Sequence, residues 1–510
     1  MKKTLLFALL LLTTGIHSQS QQLTTKLEAI KNNRGVLGMS VTVVKDKGVS
    51  YSKGFGLRDV GRNLPVNDSS IYRIASISKM VAAIALMQLY EKGLVNLDAD
   101  ISNYLGFNLR NPSYPNDIIT VRKVISHTAS LRDGSGYDGF LSATYNQNPP
   151  PNIQALLTSG GSYYTSDMFS NTKSPNSNYF QYSNVDFGVI GAVVEKVSGK
   201  RFDIYCRENI FIPLGMDAGY NIQDISSFND IAVLYRKSGG QWVAQADNFN
   251  GIKPPPRDFS QYVIGNNGLI FGPQGGLRTS AHDLSKILTA LLNNGLYGNS
   301  RILNDTTCAR LRVMNWIYDN TNGNNYYGIF NSYSYGQHRT TELLPSEVLY
   351  GHPGEAYGLI SDAYYPTGKR FGIVFITNGG QWGYGVYSGW YDVEEDVFQA
   401  CLSEMNNLTG VEEEEPQANT FALLQNYPNP FNPATTIVYT LAESAFVKLS
   451  VFNMLGEEVS VLVSGDHPAG SFNARFKPDN LPSGIYTYKL SILNNAGRMF
   501  AYQKKMVYLK

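Results

Sequence analysis

The stretch YRIASISKMVAAIALMQLYEKGLVNLDADISNYL, residues 72–105, decides how the chain is interpreted. Its apolar residues between Met80 and Tyr90 recur at the spacing of one helix face, which predicts a helix over 78–92. Ser76 and Lys79 stand at the start of this helix, one turn apart on the same face, with the Ser76 hydroxyl near the positive end of the helix dipole. A hydroxyl beside a neutral, partly buried amine is a workable pair of nucleophile and base.

The same S-x-x-K pattern occurs three times, beginning at Ser50, Ser76 and Ser170. Ser50 lies within a predicted strand, where residues three apart face opposite sides of the sheet, so Lys53 cannot serve it. The Ser170 copy lies in a polar segment without an apolar stripe and is interpreted as a loop. Only the Ser76 copy has the required geometry, although a helix N-cap is the structural alternative for this residue taken alone.

A Tyr-x-Asn triplet can supply a phenol for proton transfer and an amide that binds a substrate carbonyl. Copies of this triplet begin at Tyr114, Tyr182, Tyr297, Tyr318 and Tyr427. Four of them are interpreted as turns, loops or part of the C-terminal module. The copy Tyr182-Ser183-Asn184 immediately precedes a predicted apolar helix over 185–197, which would fix both side chains, so we favour it.

A Lys or His followed two residues later by Gly can complete such a site on a strand edge. The Gly lets a substrate backbone approach, and the next N–H can contribute to an oxyanion hole. The candidates are 237–239 (Lys-Ser-Gly), which reads as a hairpin tip, and His352-Pro353-Gly354. The second is favoured because it opens the strand predicted from Glu355 to Tyr365.

In chain order, Ser76-x-x-Lys79, Tyr182-x-Asn184 and His352-x-Gly354 resemble the three motifs of the serine β-lactamase-related family. That family includes class C β-lactamases, D,D-peptidases, D-aminopeptidases and esterases. The likeness continues through ITVRKVISHTASL, YSNVDFGVIGAVVEKVSGK, IFIPLGM and GGLRTSAHDLSKIL, and it covers about 23–405. It implies an α/β (α+β) fold of the β-lactamase/transpeptidase type, with an antiparallel sheet flanked by helices and a helical insertion.

The resemblance also implies the roles of the site residues. Ser76 would attack a carbonyl to give an acyl-enzyme, with Lys79 and Tyr182 sharing the proton transfers. Asn184 would bind the substrate carbonyl, and the backbone N–H groups of Ser76 and Glu355 would hold the oxyanion.

Three further positions follow from the same resemblance. His352 is assigned a catalytic role where β-lactamases usually carry Lys, and Gly354 is expected to bind substrate. His127, in the SHTASL segment, is expected to be structural.

Two features of the third motif bear on the substrate. Pro353 offers neither the hydroxyl nor the N–H that binders of β-lactams and peptide carboxylates often have at this position. His352 also lacks the permanent charge of a Lys. We therefore expect a small-molecule or peptide substrate cleaved at an ester or amide bond. The alternatives are a D,D-peptidase, penicillin-binding protein or β-lactamase, or a non-catalytic binding module of the same fold.

The remaining pattern of the first part predicts one sheet completed by both of its ends. Strands are predicted from Val36 to Val44 and from Val49 to Gly56, and a second pair from Glu355 to Tyr365 and from Arg370 to Thr377. A closing helix carries an apolar stripe of Val393, Val397 and Cys401. The hydrolase domain is expected to span residues 22–405.

The two ends of the chain indicate export. Residues 1–18 combine Lys2 and Lys3 with a short apolar run and are interpreted as a signal peptide rather than a membrane anchor. An acidic linker is predicted over 406–420 and a small β-sandwich over 421–510.

The segments NYPNPFNPATTIVYTL, VFNMLGEEV and LPSGIYTYKL of this module resemble the sorting domain of the type IX (Por) secretion system. That resemblance implies the type IX machinery as a partner and a protein that is secreted or attached to the cell surface. A carbohydrate- or protein-binding sandwich is the alternative. Strands are predicted there at 436–441, 447–453, 471–476 and 484–493.

Composition excludes several other classes. A net charge of +1 with 16% charged residues provides no basic surface for nucleic acid, and no integral membrane segment is expected. Three widely spaced cysteines (Cys206, Cys308 and Cys401) permit at most one disulfide and lack zinc-ligand spacing. Neither a metal nor an organic cofactor is expected. The G-x-S-x-G motif of α/β-hydrolases does not occur.

Overall fold

The computed structural model describes residues 21–46, 48–344, 347–366, 371–385, 388–408, 421–423, 426, 429, 431–478, 481–494 and 498–509. The chain divides into two compact units, Met1–Leu402 and Ser403–Lys510. The predicted signal peptide lies outside the described residues, and so do residues 409–420 of the predicted linker. Within the described part of the chain, no helix combines the length and the apolar character needed to cross a membrane.

The first unit is built around one antiparallel sheet. Its long strands are β1 (Gly38–Lys45), β2 (Gly48–Asp59), β3 (Leu349–Ala356), β4 (Leu359–Pro366) and β5 (Phe371–Gly379). The spatial order is β3-β4-β5-β1-β2, so the two ends of the unit meet where β5 pairs with β1. Short strands continue the sheet at its edges, namely Trp316–Ile317, Ser332–Tyr333 and His338–Thr340 beyond β3 and Leu64–Pro65 beyond β2. The predicted sheet, completed by both ends, is confirmed.

Most of the helices of this unit lie between β2 and β3 in the sequence. The longer helices are α1 (residues 21–33), α2 (Ser78–Glu91), α3 (Asn184–Ser198), α4 (Ala281–Leu292) and α5 (Asp392–Leu408). Shorter helices are Ser102–Leu105, Val121–Ile125, Tyr137–Asn146, Gln154–Leu157, Phe202–Cys206 and Asp305–Leu311. Small strand pairs join Ile71–Arg73 to Arg278–Ser280, Leu234–Ser238 to Gln241–Ala246, and Leu296–Tyr297 to Ser300–Arg301.

Both faces of the sheet are covered, which is why its central strands are apolar throughout rather than alternating. Every residue of β4 and β5 is buried. On β5, Val374 and Ile376 belong to the large core that also contains α2, α3 and α4. On the other face, the ring of Phe398 in α5 packs against that of Tyr364, with 5.9 Å between centroids.

One predicted strand was wrong in its bounds. The segment from Glu355 to Tyr365 contains a hairpin, because β3 ends at Ala356 and β4 begins at Leu359. The two loop residues, Tyr357 and Gly358, have φ of 57° and 88°, as a two-residue hairpin turn of type I′ requires. His352 consequently lies inside β3, which begins at Leu349, and does not open the strand.

Helix α2 is buried on all sides from Ser78 to Leu89, whereas its sequence showed a stripe on one side. Small residues such as Ala82, Ala83 and Ala85 let neighbouring elements approach it closely. A helix buried all round is typical of the centre of a large core. The Ser76 turn is therefore attached to one of the most constrained elements of the unit.

The second unit contains two antiparallel sheets in its described residues. One comprises Ala422–Leu423, Thr435–Leu441 and Gly470–Phe476, and the other Glu458–His467, Ala445–Phe452, Gly484–Asn494 and Met499–Tyr508. Alternate side chains of both sheets, such as Ile437, Val447 and Leu490, form one buried core. Three of these strands, Ala422–Leu423, Glu458–His467 and Met499–Tyr508, were not predicted. The first has only two residues, and the other two are edge strands whose side chains are mostly exposed or half-buried, which gives a weak apolar pattern.

A close contact fixes how α3 packs in the first unit. Gly268 lies against the backbone of α3, so that an added Cβ would stand 1.9 Å from the Gly188 carbonyl oxygen and 2.3 Å from the Ala192 nitrogen. Neither atom can move without shifting the helix. A side chain at this position is therefore incompatible with the observed packing.

We predict that Gly268→Ala lowers the free energy of unfolding of the first unit by about 3 kcal/mol, because the backbone of α3 must move. Urea denaturation followed by circular dichroism measures the change. Gly48→Ala is the matched control, since a Cβ there meets nothing within 4 Å. Equal stability of the two variants would contradict the prediction.

Candidate active site

Ser76 lies in a 3-10 turn, Ala75–Ile77, which connects the strand Ile71–Arg73 to α2. The residue before it, Ala75, has φ of 50°, a left-handed conformation that costs roughly 1–3 kcal/mol for a residue with a side chain. Two hydrogen bonds hold the turn: the Ser78 hydroxyl donates to the Ala75 carbonyl at 2.6 Å and accepts the Leu277 N–H at 3.1 Å. The strained turn is thus fixed from both sides.

Lys79 is fully buried and its amine has three oxygen neighbours. Nζ lies 3.0 Å from Ser76 Oγ, 2.9 Å from Asn184 Oδ1 and 2.7 Å from the Gln274 carbonyl oxygen. Burial lowers the pKa of Lys79 to about 7, although the negative charge of Asp133 raises it in part. A large fraction of the amine is therefore neutral near pH 7.

Tyr182 adjoins the same pair. Desolvation raises the pKa of its phenol well above the ordinary value, and the adjacent Ser76 side chain offsets this in part. The Lys79 amine lies 4.7 Å from the centre of the Tyr182 ring, and the ring stacks on Phe330 with 5.2 Å between centroids. The Tyr182 phenol is therefore protonated, and aromatic packing holds its ring in place.

Asn184 is the first residue of α3, and Asp133 fixes its orientation. Asp133 Oδ2 accepts hydrogen bonds from the Asn184 backbone N–H and from Asn184 Nδ2, each at 2.9 Å. Asp133 Oδ1 accepts bonds from the Ser183 hydroxyl at 3.0 Å and the Val185 N–H at 2.9 Å. With Nδ2 committed to Asp133, Asn184 must present Oδ1 to the Lys79 amine.

Asp133 is a functional candidate that the sequence analysis missed. It lies 51 residues before Asn184, at the start of a loop without a readable pattern. An acidic residue that caps a helix from so far away leaves no local capping signal of the kind found next to a helix start.

His352 is buried and both of its ring nitrogens are bonded within the protein. Nδ1 lies 2.5 Å from the Pro353 carbonyl oxygen, which can only accept, so Nδ1 carries the proton. Burial holds the pKa of His352 well below its ordinary value, and the nearby Lys79 and His338 lower it further, so Nε2 is unprotonated. The Tyr333 hydroxyl therefore donates to Nε2, at 3.0 Å. In this structure His352 is a neutral residue with no positive charge to offer a substrate.

Gly354 brings β3 against the Ser76 turn. An added Cβ would lie 2.4 Å from Ser361 Oγ, 2.7 Å from the Ile74 carbonyl oxygen and 3.1 Å from the Ser76 nitrogen. Only Gly fits this approach.

The next residue, Glu355, stands directly opposite Ile360 on β4. The Ile360 N–H donates in the other direction, to Thr377 Oγ1 at 2.9 Å. In an antiparallel pair, two opposed residues either exchange hydrogen bonds or both point away from each other. The Glu355 N–H therefore points away from β4 at the strand segment that adjoins Ser76.

His127 lies behind Tyr182, with 4.5 Å between the ring centroids. Its Nδ1 is 2.7 Å from Asp186 Oδ2 and 3.3 Å from the Ser183 N–H donor. Burial lowers the pKa of His127 and raises that of Asp186, so both shifts favour a neutral pair in which the Asp186 carboxyl donates to Nδ1. These contacts give His127 a packing role beneath Tyr182.

A cavity of about 760 Å³ opens onto these groups. Five of the predicted site residues line it, namely Ser76, Tyr182, His352, Gly354 and Glu355. The other two, Lys79 and Asn184, are bonded to each other directly behind Ser76. The structure therefore brings all seven predicted residues together, whereas Ser50 lies on β2 and Ser170 in a loop.

Comparison with known proteins gives the family. A family profile described as Beta-lactamase matches residues 22–395. The chain belongs to the β-lactamase family. Members of this family are serine hydrolases, including esterases, amidases and peptidases. A second profile, described as Secretion system C-terminal sorting domain, matches residues 425–507 and indicates type IX secretion to the cell surface or the exterior. Both resemblances seen in the sequence are confirmed.

Curated members related to this β-lactamase-family chain share limited regions with it. Protein flp of Staphylococcus aureus (strain MRSA252) is 23% identical over 235 residues, 46% of this chain and 44% of that protein. Penicillin-binding protein 4* of Bacillus subtilis (strain 168) is 25% identical over 173 residues, 33% of this chain and 34% of that protein. The chain thus spans less than half the length of these curated relatives.

Solved structures show the fold that this β-lactamase-family chain adopts. The octameric penicillin-binding protein homologue from Pyrococcus abyssi has a TM-score of 0.55 and 20% identity, covering 95% of each chain. EstCE1, a hydrolase with promiscuous acyltransferase activity, has a TM-score of 0.54 and 20% identity, covering 75% of this chain and 98% of that one. The D-amino acid amidase from Ochrobactrum anthropi SV3 with L-phenylalanine amide has a TM-score of 0.54 and 18% identity, covering 75% and 99%.

We predict that Asp133→Asn shifts the pH dependence of turnover. The negative charge of Asp133 raises the pKa of Lys79, so its removal lowers that pKa and moves the acid limb of kcat/KM to lower pH. The Asn side chain introduced at this position also places an NH₂ group against the N–H and O–H donors that Asp133 accepts from. Asn184 is therefore displaced, and kcat/KM falls roughly 10- to 100-fold.

A pH–rate profile with an activated ester measures both effects. Asp138→Asn is the matched control, because it removes an exposed charge from the helix Tyr137–Asn146 without touching Asn184. An acid limb that stays in place, or moves to higher pH, would show that Asp133 has only a structural role.

Proposed function

We propose that this protein is an exported serine hydrolase that cleaves an ester or amide bond through an acyl-enzyme on Ser76. The observation that carries the proposal is the coordination of the Lys79 amine. A neutral amine has two N–H donors and one lone pair, and two of its three neighbours, Asn184 Oδ1 and the Gln274 carbonyl, can only accept from it. The lone pair is then directed at the Ser76 hydroxyl, which is the arrangement a general base needs.

The proposed reaction has two steps. Ser76 Oγ attacks the substrate carbonyl carbon while its proton passes to Lys79 Nζ, and the resulting oxyanion accepts hydrogen bonds from the Ser76 and Glu355 N–H groups. The leaving group departs with a proton delivered through Lys79 and the Tyr182 phenol. A water molecule then attacks the acyl-enzyme by the same proton route and releases the acid and Ser76.

The roles of the other predicted residues follow from their contacts. Asn184 would orient both Lys79 and the substrate carbonyl. Gly354 would let the substrate lie along β3. His352, whose two nitrogens are bonded to Pro353 and Tyr333, would hold the end of the site in place as a neutral group.

An ester or small peptide is favoured over a β-lactam as substrate. A neutral His352 and Pro353 provide neither charge nor hydroxyl for a substrate carboxylate. The runner-up is a D,D-peptidase, penicillin-binding protein or β-lactamase. The bonded set of Ser76, Lys79 and Asn184 argues against a non-catalytic binding module, since such a module has no need of a buried amine.

We also propose the route by which the protein leaves the cell. The domain plan comprises a signal peptide at 1–18, a hydrolase domain at 22–405, a linker at 406–420 and a sorting domain at 421–510. The signal peptide would direct passage through the inner membrane. The sorting domain would then engage the type IX machinery, which is the proposed protein partner.

Brief exposure to a short-chain activated ester is expected to leave a transient acyl adduct on Ser76, because the hydroxyl is activated by Lys79. Intact-protein mass spectrometry with peptide mapping detects the adduct, and Ser76→Ala should form none. Penicillin should leave little adduct. A long-lived penicilloyl adduct on Ser76 would support the penicillin-binding alternative, and adduct formation in Ser76→Ala would refute the assigned nucleophile.

The pH dependence of kcat/KM is expected to show an acid limb near pH 7. Below the pKa of Lys79, which is about 7, the amine is an ammonium ion without a lone pair, so the rate falls as pH falls and levels off at higher pH. Lys79→Arg, whose guanidinium stays protonated, should be inactive at every pH tested. A profile that is flat between pH 5 and 9 for the unchanged protein would remove Lys79 from the role of base.

A further inference from the structure

Part of the cavity wall has an acidic and aromatic character that the proposed reaction does not use. Glu355 and Glu394 line it, and none of the described lining residues is a Lys or Arg. The Glu355 carboxylate is held in place by the Tyr391 hydroxyl, which donates to Oε2 at 3.3 Å. The described lining of the cavity therefore contains no Lys or Arg, and the Lys79 amine is bonded to Ser76 behind it.

Aromatic rings surround these carboxylates. Tyr391 stacks on Tyr384 with 6.3 Å between centroids, and both rings line the cavity together with Trp390. Tyr384 and Tyr327, also in the lining, are 89% and 98% exposed, so a bound ligand can cover them. Faces of Tyr and Trp rings attract cations, because the ring quadrupole is negative above and below the plane.

A second observation lies behind the wall. Asp362 on β4 is fully buried, and within the described residues neither of its carboxyl oxygens has an N–H or hydroxyl donor. It faces the carboxyl of Glu394, and burial raises the pKa of both groups, that of Glu394 to about 8 and that of Asp362 well above its ordinary value. Glu394 is also buried, and its Oε2 accepts a backbone N–H from Tyr391 at 2.7 Å. This buried pair is therefore mainly protonated near pH 7, which leaves Glu355 as the carboxylate that carries the negative charge among the described lining residues.

We propose that this cavity binds the cationic part of the substrate, an ammonium group held between the Glu355 carboxylate and the rings of Tyr391 and Tyr384. The inference rests on the proposed hydrolase function and names its substrate class as esters or amides that carry a positive charge. Glu355 is then a residue that determines specificity. The same wall repels a carboxylate, which has no described cation in the lining to meet it.

The charge preference can be tested by equilibrium binding, without turnover. The probes are 3-phenylpropylammonium, 3-phenylpropanol and 3-phenylpropanoate, which share one apolar body and differ in charge, titrated into the full chain by calorimetry. We expect the ammonium to bind about ten-fold or more tightly than the carboxylate, with the alcohol between them. Equal or tighter binding of the carboxylate would overturn the proposal.

Variants locate the effect. Glu355→Gln is expected to reduce the ammonium-to-alcohol affinity ratio by about three-fold or more, because it removes a negative charge and keeps an acceptor oxygen. Glu28→Gln, an exposed site on α1, is the matched control and should leave the ratio unchanged. A ratio unchanged in Glu355→Gln would place cation binding elsewhere and overturn the assignment.

The failure of this inference is distinguishable from failure of the proposed function. Cation selectivity in a protein that forms no adduct on Ser76 would keep the subsite and remove the hydrolase. Adduct formation on Ser76 without any preference among the three probes would keep the hydrolase and remove the subsite.

Discussion

Burial of the Lys79 amine is the constraint on which the rest of the site depends. An ammonium ion loses its hydration when it leaves water, and the protein compensates with acceptors from two other segments, Asn184 and the Gln274 carbonyl. Desolvation shifts the amine toward its neutral form, and the neutral form is the one that can take the Ser76 proton. Burial of the amine therefore costs stability and also produces the neutral base that the proposed reaction needs.

The surrounding fold keeps this arrangement from relaxing. Lys79 belongs to a helix buried on all sides, so its backbone cannot move outward to expose the amine. Ser76 is held by the strained turn at Ala75 on one side and by β3, through Gly354, on the other. Asn184 is fixed at the start of α3 by Asp133. Lys79, Ser76 and Asn184 are thus each held in place by different contacts of the fold.

The sequence was sufficient to predict the groups whose relation is local or carried by a familiar motif. Ser76 and Lys79 are one helical turn apart, and Asn184 starts a helix that its apolar pattern predicts. It was not sufficient for Asp133, Gln274 or Glu394, because each meets its partner only through tertiary packing. The hairpin at Tyr357 was missed because its sequence is unusual. A turn with two positive φ values usually contains Asn-Gly or Asp-Gly, and here Tyr stands in the first position.

The charges around the site act on the base as well as on the ligand. Asp133 raises the pKa of Lys79 and so works against its neutral form. A positive charge brought into the cavity has the opposite sign of effect, because it disfavours a second positive charge nearby. With a pKa of about 7, Lys79 stands where a small downward shift changes the neutral fraction most at neutral pH. A cationic substrate bound against Glu355 would therefore favour the neutral form of the base that attacks it, and ligand recognition and activation of Ser76 would be coupled through electrostatics alone.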